Sequence, residues 1–421
     1  MSDLSQPLAQ DALTAAPRRA PAFWVAFAAL FVVGFGNSML LAVLPPIARQ
    51  IAMPDTLVGA VFAVSAVLWV FSSPYWGRLS DRVGRKPVMT AGMWAYAASM
   101  GAFSLVTAGG LAGAYSALAA FAGMTLARAI FGGVGSATSP AAQAYVADVT
   151  PSTRRMQELA ALTSAFALGS AVGPAACAWL AAQLGLLSPL IATTGLAVLM
   201  ALAMHRLLPN RPPSEARSAG GRSWRLALDG RVRDYLLYAT GVSLVTGVLV
   251  QTFAFYTLDR LGAEGAEGAR LAAAGFSAHA LALLLTQLFL LPRLRLRPRG
   301  LMVLGALVCA GGVLVQVAAG DVVWLVGSQL LQGLGFGMVR PGFTSGASLA
   351  VSPQEQGAVA GLVVAANGAG FVISPLAGNG LYEVAGMTAP LWLSATLLTA
   401  LALFAWRASS LSGPRASPGP G

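Results

Sequence analysis

Gly77-Arg78-Leu79-Ser80-Asp81-Arg82-Val83-Gly84-Arg85-Lys86-Pro87 is a short charged stretch set between two long apolar runs, near 57 to 76 and 87 to 108. Its chemistry is that of a turn at the edge of an apolar medium. Gly77 permits close helix approach and Gly84 allows a tight turn. Asp81 is suited to a neighbouring helix N-terminus, where the helix dipole favours a negative group. Arg82 is then placed to bridge to a second carboxylate. The candidate is Asp148, in Ala144-Tyr145-Val146-Ala147-Asp148-Val149-Thr150-Pro151 at the end of a later apolar run.

The rest of the chain explains why such a turn is needed. Of 421 residues, 57% are hydrophobic apart from 48 glycines, and only 10% are charged, against roughly 25% in a soluble globular protein. This excludes a soluble enzyme with one polar surface. Twelve helices of about 20 residues consume roughly 240 positions, which leaves tails and connections but no large water-soluble domain. The first apolar run, near 23 to 43, follows a polar tail; it is too long for a signal-peptide centre and lacks a cleavage site, so it is read as a retained spanning helix.

Apolar stretches recur near 23 to 45, 57 to 76, 87 to 108, 112 to 146, 158 to 183 and 187 to 208, and again near 235 to 258, 270 to 291, 300 to 319, 322 to 350, 357 to 381 and 387 to 406. The expected organisation is a cytosolic tail over 1–22, a six-helix bundle over 23–208, a cytosolic linker over 209–234, a second six-helix bundle over 235–407 and a cytosolic tail over 408–421. The linker carries Pro212, Pro213, Gly220 and Gly221 among arginines, the composition of a flexible tether.

Formal net charge is +11, and 25 of the 26 basic residues are Arg. These arginines sit in short connections and form no face to hold a phosphate backbone, so nucleic acid is not an expected partner. With twelve alternating spans and a cytosolic N-terminus, 21 basic residues fall inside and only Arg49, Arg260 and Arg270 outside. That asymmetry predicts both termini in the cytosol. Arg128 and Arg340 remain within spans.

The halves also repeat. Gly132, Pro140, Gly169 and Pro174 recur 201 positions later as Gly333, Pro341, Gly370 and Pro375, while Gly135 corresponds to Phe336 and Gly173 to Ser374. Helix-breaking residues at matched depths in two halves point to duplicated bundles around a midplane cavity, the arrangement of a secondary transporter.

On these residues the chain resembles the major facilitator superfamily over about 20 to 408. The 77–87 stretch is similar to the family's signature loop, with the leading Gly, the Asp-Arg pair and the Gly-Arg-Lys turn present. The resemblance implies an all-α membrane protein of twelve transmembrane helices in two pseudo-symmetric six-helix bundles. It also implies a conformational latch of Gly77, Asp81, Arg82, Gly84, Arg85, Lys86 and Asp148, holding the halves together while the cavity opens outward. The corresponding connection of the second half, 292 to 300, keeps arginines but has no Asp. Arg128, with Gly132 and Gly135 after it, resembles the family's intramembrane Arg motif. Gly169-Ser170-Ala171-Val172-Gly173-Pro174 resembles its exporter motif, but Cys177 and Ala178 replace the usual paired glycines. Gly169, Gly173, Pro174 and Pro375 are accordingly candidates for helix packing and bending, where small residues allow close approach and proline frees a carbonyl.

Polar residues elsewhere in spans nominate a cavity lining: Asn37, Arg128, Gln143, Gln251, Tyr256, His279, Gln287, Gln332, Arg340 and Asn367. An amide is as ready to bond a neighbouring helix as to touch cargo, whereas a guanidinium at this depth costs several kcal/mol unless paired or wetted. Two interior arginines suit a cargo bearing an acidic group. Acids fall in tails, loops or span ends, so proton coupling lacks its usual mid-depth carboxylate; His279 has the right titration range, and a lone His is equally a structural residue. No phosphate-cradling Gly-x-x-x-x-Gly-Lys-Ser/Thr loop is present. Cys177, Cys309, His205 and His279 form no metal-ligand pattern, and no Ser-His-acid set is evident. No cofactor, metal or enzymatic activity is expected.

The resemblance is strongest to the twelve-helix drug and metabolite:proton antiporters. It implies a bacterial inner-membrane protein working by alternating access, exporting small organic molecules in exchange for protons. The alternatives are uptake of an organic anion or small metabolite and, in another class, a receptor that binds without transporting. The partners expected are a small-molecule substrate, protons and the lipid bilayer, with the chain working as a monomer.

Overall fold

The computed structural model describes residues 21–151, 154–210, 226–294, 296–352, 355–408 and 411. The tail arginines Arg18, Arg19 and Arg415, most of the linker with its Pro and Gly pairs, and Arg295 lie outside the described residues. Helices dominate: α1 Pro21–Gln50, α2 Asp55–Val83, α3 Arg85–Leu111, α4 Ala117–Gly133, α5 Thr138–Val149, α6 Arg155–Leu184 and α7 Ser188–Leu207 in the first half. The second half has α8 Gly230–Leu261, α9 Gly265–Leu285, α10 Pro298–Ala318, α11 Val322–Leu349, α12 Gln356–Ala385 and α13 Ala389–Arg407.

Among the described residues the helices make twelve long segments, because α4 and α5 form one, interrupted by the 3₁₀ turn Gly135–Ala137. The interruption has a local cause. Gly133 and Gly135 weaken the helix where Pro140 removes a backbone donor. The freed carbonyls are claimed by side chains: Ser72 Oγ donates to Gly132 O at 2.7 Å and Trp76 Nε1 to Gly133 O. The matched span α11 keeps its proline, Pro341, yet runs unbroken, because Leu334 and Phe336 stand where the glycines were.

Eleven crossings among the described residues are long and apolar enough to span a bilayer. The remaining one, α3, is diluted by polar residues that it buries and satisfies locally: Ser99 Oγ donates to Ala127 O, Ser104 Oγ to Met100 O and Thr107 Oγ1 to Phe103 O, at 2.7–2.8 Å. Two starts fall earlier than the apolar runs suggest. α1 opens at Pro21 and α8 at Gly230, where the Asp229 carboxylate accepts the Arg231 N–H at 2.9 Å as an N-cap. A capped turn of polar residues extends a helix beyond its apolar window.

Within each half the pairings match: α1 lies on α6 as α8 lies on α12, α2 on α4 as α9 on α11, and α3 on α7 as α10 on α13. The halves meet through α2 against α12 and α6 against α9. The repeated residues sit at equivalent crossings. A Cβ on Gly132 would lie 2.4 Å from the Ser65 carbonyl oxygen, and one on Gly333 would lie 2.2 Å from that of His279. Gly169 meets the backbone of Phe31 and Phe35 in the same way that Gly370 meets that of Thr240 and Leu244. Gly173 packs equally closely, on Ser38 and the Phe35 carbonyl. The 201-residue repeat therefore encodes backbone-to-backbone helix contact, the main source of cohesion where lipid removes the hydrophobic drive between helices.

This makes a signed prediction. Ala is a better helix former than Gly by about 1 kcal/mol, yet Gly333→Ala should destabilise the protein by about 1–3 kcal/mol through overpacking. Gly311→Ala, with nothing within 4 Å of its Cβ position, should be neutral or stabilising. Thermal unfolding in detergent checks both, and an unshifted transition for Gly333→Ala would contradict the crossing.

Candidate functional site

The polar residues within spans separate into three groups. In the first half, Arg128 on α4 is 4% exposed, and its Nη2 donates to Asn37 Oδ1 on α1 at 3.2 Å. Its guanidinium lies 4.5 Å from the Phe131 ring centre and 5.8 Å from that of Phe62. Nε and Nη1 have no hydrogen-bond partner within the protein, and neither does the buried hydroxyl of Tyr96, whose ring packs on Phe131 at 5.0 Å. A cation without a carboxylate is thus held by an amide and two aromatic faces, an arrangement that leaves donor capacity for an incoming acceptor.

The second group lines accessible helix faces. Arg340 on α11 is exposed, and Thr344 one turn on is exposed beside it. In the first half the matched positions are Ser139 and Gln143 on α5, joined by a 3.2 Å hydrogen bond. Gln251 on α8 is half-buried. The matched faces of the two halves therefore differ, an uncharged Ser–Gln pair in the first and a cationic Arg–Thr pair in the second.

The third group lies within the second half: Tyr256 and Gln332 are buried and engaged there, against the expectation of a cavity role, while His279, Gln287 and Asn367 are half-buried. The Tyr256 hydroxyl donates to Gln316 O at 2.6 Å, and Gln332 Nε2 donates to Gln316 Oε1 at 2.8 Å, both within the core of the second half. Gln329, the counterpart of Arg128, joins the same amide cluster at 3.3 Å and also meets His279, whose ring packs on Phe336 at 5.9 Å. Asn367 Oδ1 accepts from Ser243 Oγ at 2.7 Å, tying α12 to α8. Gln287 lies in the π turn Thr286–Leu290 that ends α9. An amide in a nonpolar helix offers the same sequence signal whether it bonds a neighbouring helix or faces water.

The charged turn is built around a different arginine than its spacing suggests. Gly84, at φ 101° and ψ 152°, ends α2 and starts α3. This sharp reversal lays Arg85, not Arg82, over both carboxylates: Arg85 Nε donates to Asp148 Oδ2 at 3.0 Å, and Nη1 pairs with Asp81 and donates to Ser80 Oγ at 2.9 Å. Arg82 points to the surface, while Lys86 is half-buried. All three charged partners belong to the first half, and nothing stands within 4 Å of the Cβ position of Gly77. In this conformation the turn ties α2, α3 and α5 together and does not itself join the halves. The second half has its own ion pairs at the same end, away from 292–300. Arg231 reaches Asp229 at 2.7 Å and Glu355 at 3.7 Å. Arg231 holds the Asp229 carboxyl below its ordinary range, and the Ser352 N–H and hydroxyl do the same for Glu355.

Sequence reasoning passed over the opposite end, where the halves are joined. Arg49 Nη2 lies 2.7 Å from Asp55 and 3.0 Å from Asp259 of the other half. Tyr382 donates to Asp259 at 2.6 Å, the Thr56 N–H donates to Glu383 at 2.9 Å, and Asn379 Nδ2 donates to the Asp55 carbonyl at 3.0 Å. Single charges at span ends carry no motif; the only signal was acids and an arginine at the same end of four different spans.

Comparison with known proteins places this architecture. The model described as "Major Facilitator Superfamily" matches residues 26–290 and 267–420. Multidrug resistance protein 2 of Bacillus subtilis (strain 168) is 26% identical over 196 residues, 46% of this chain and 46% of that protein, so the match spans less than half of that relative. Tetracycline resistance protein, class B, of Escherichia coli is 24% identical over 373 residues, 85% of this chain and 86% of that protein. Among solved structures, the human organic anion transporter MFSD10 (TETRAN) aligns with a TM-score of 0.62 at 21% identity, over 92% of this chain and 100% of that one. A mutant form of the nucleoside transporter NupG aligns at 0.71 and 14% identity, over 91% and 99%. At these identities the structural matches establish the fold.

The geometry separates the two arginines of the turn. Arg85→Ala should slow the transport cycle about tenfold or more, the scale of removing a partly buried group that meets two carboxylates, with cargo affinity changed less than about twofold. Arg82→Ala should have the smaller effect on turnover. Equal losses in the two variants, or a loss confined to affinity, would contradict this assignment.

Proposed function

The chain belongs to the Major Facilitator Superfamily, a multi-pass membrane transporter and not an enzyme, and from that premise we propose that it exports small organic molecules in exchange for protons by alternating access. The observation that carries the reading is the similarity along 85% of the chain to a tetracycline resistance protein, with a multidrug resistance protein matching part of it. The basic asymmetry of the connections supports an inner-membrane orientation with both termini cytosolic. On that orientation, the end joined through Arg49 and Asp259 is the outer one, and the structure is closed outside.

The candidate site gives the cargo its chemistry. Arg340 offers an accessible guanidinium, and Arg128 offers buried donors steadied by Asn37 and aromatic faces. Cation donors flanked by apolar walls suit a planar, lipophilic molecule carrying one acidic group. The same two residues favour the second reading, uptake of an organic anion, which differs in direction and driving force. Gln143 and Gln251 supply neutral hydrogen-bonding positions in either case. His279 is a candidate proton carrier, and its contacts with Gln329 and Phe336 make it equally a packing residue.

Everted membrane vesicles with an imposed pH gradient, acidic inside, test the exporter. Accumulation of a fluorescent cargo that disappears when a protonophore is added is the expected result; pumping that survives collapse of every ion gradient would overturn it. Arg340→Ala should reduce flux of an anionic cargo about tenfold, the scale of one charge-assisted contact, while sparing a neutral one. Arg128→Ala should impair both, since it also releases Asn37. Unchanged flux in both variants would remove the acidic-cargo proposal.

A further inference from the structure

At the end opposite Pro21 and Arg407, Arg49 stands between two carboxylates that belong to different halves. Asp55 Oδ2, at 2.7 Å, is its neighbour across the α1–α2 turn; Asp259 Oδ2, at 3.0 Å, closes α8 of the second half. The two acids are unlike in setting. The Asp55 side chain is 10% exposed and enclosed by α1, α2 and α12, while Asp259 is 32% exposed and accepts a second hydrogen bond from Tyr382. Two further links cross between the halves here: the Thr56 N–H and hydroxyl on Glu383, and Asn379 on the Asp55 carbonyl. Arg49 also lies 5.6 Å from the Phe255 ring centre of α8.

One guanidinium therefore serves two carboxylates, Asp55 and Asp259, while Glu383 is held by Thr56. Among the described residues, Arg49–Asp259 is the ion pair that crosses between the halves. When the halves part, a lone bridging cation would be left unpaired, at the modest cost of a broken, partly exposed ion pair. Asp55 removes that cost, because it travels with Arg49. It also sits close to Asp259 and Glu383 of the other half, so its charge opposes closure.

We propose that Arg49 is a two-position switch of the transport cycle: Asp259 recruits it to hold this end shut, and Asp55 retains it when this end opens. The pairing with Asp259 sets which end is closed, and Asp55 sets how readily closure is undone. The charged turn at the other end cannot perform this task in the present conformation, since Asp81, Arg85 and Asp148 share one half. The proposal rests on the alternating-access reading and adds residues that the family-like motifs do not contain.

The two carboxylates are expected to act in opposite directions. Spin labels on Ala114→Cys and Ala385→Cys, exposed at this end in different halves, report the gap in the full chain, with the two native cysteines buried. Asp259→Asn should raise the open population about fivefold, the upper range for a partly exposed ion pair, and Arg49→Ala should do the same. Asp55→Asn should shift the population towards the closed form and slow cargo exchange. The exchanged pair Arg49→Asp with Asp259→Arg should restore the short distance, which also guards against simple misfolding of the single variants. A gap unchanged by Asp259→Asn, or widened equally by Asp55→Asn, would overturn the switch. Loss of proton-driven flux in the wild type would defeat the export reading and leave the distance result to stand or fall separately.

Discussion

A bilayer interior offers no water to a bare N–H or C=O, and every spanning segment of this chain answers that constraint in its backbone. The helices run nearly without interruption, and where one breaks, at Gly133–Gly135, side chains of α2 reach across to take the released carbonyls. The break is thereby buried in protein, an environment that tolerates irregular backbone at membrane depth. The same accounting governs Ser99, Ser104 and Thr107 of α3, each of which returns its hydroxyl to a carbonyl one turn back or on α4.

Packing between helices follows from the same solvent. Lipid tails compete with side chains for apolar surface on equal terms, so helices cohere where their backbones can touch. Gly132, Gly169 and their counterparts Gly333 and Gly370 are where that contact is made, twice over. Duplication preserved those crossings and relaxed what lies between them. Where the first half has Arg128 the second has Gln329, within an amide cluster around Gln316 in place of a cation held over aromatic rings. One half carries a buried charge and the other a neutral network, so the interiors of the two halves are chemically unlike despite their common frame.

Charges make up the second layer of control. A guanidinium is stable here only at an interface, against a carboxylate, or over aromatic faces, and the described arginines use all three. Among the described residues, the ion pairs at the basic end stay within a half, while at the other end Arg49–Asp259 crosses between halves. That difference gives the present conformation its handedness of access: the end holding the cross-half pair is shut, and Gly77 at the other end has empty space beside it.

Fold class and topology were legible in the sequence because they depend on one-dimensional quantities. Span length, hydropathy, arginine placement and the spacing of Gly and Pro each follow the chain, and they specified twelve crossings and the matched halves. Side-chain partnership depends on which face of a helix meets which neighbour, and no local pattern encodes that. Arg85 displaced Arg82 because the φ of Gly84 sets the direction of the turn. Tyr256 and Gln332 turned inward while Arg340 remained accessible, since a helix that is apolar all round does not announce its polar face. The pairing of Arg49 with Asp259 joins residues 210 positions apart. Only the docking of two separate bundles could bring those charges within hydrogen-bond reach.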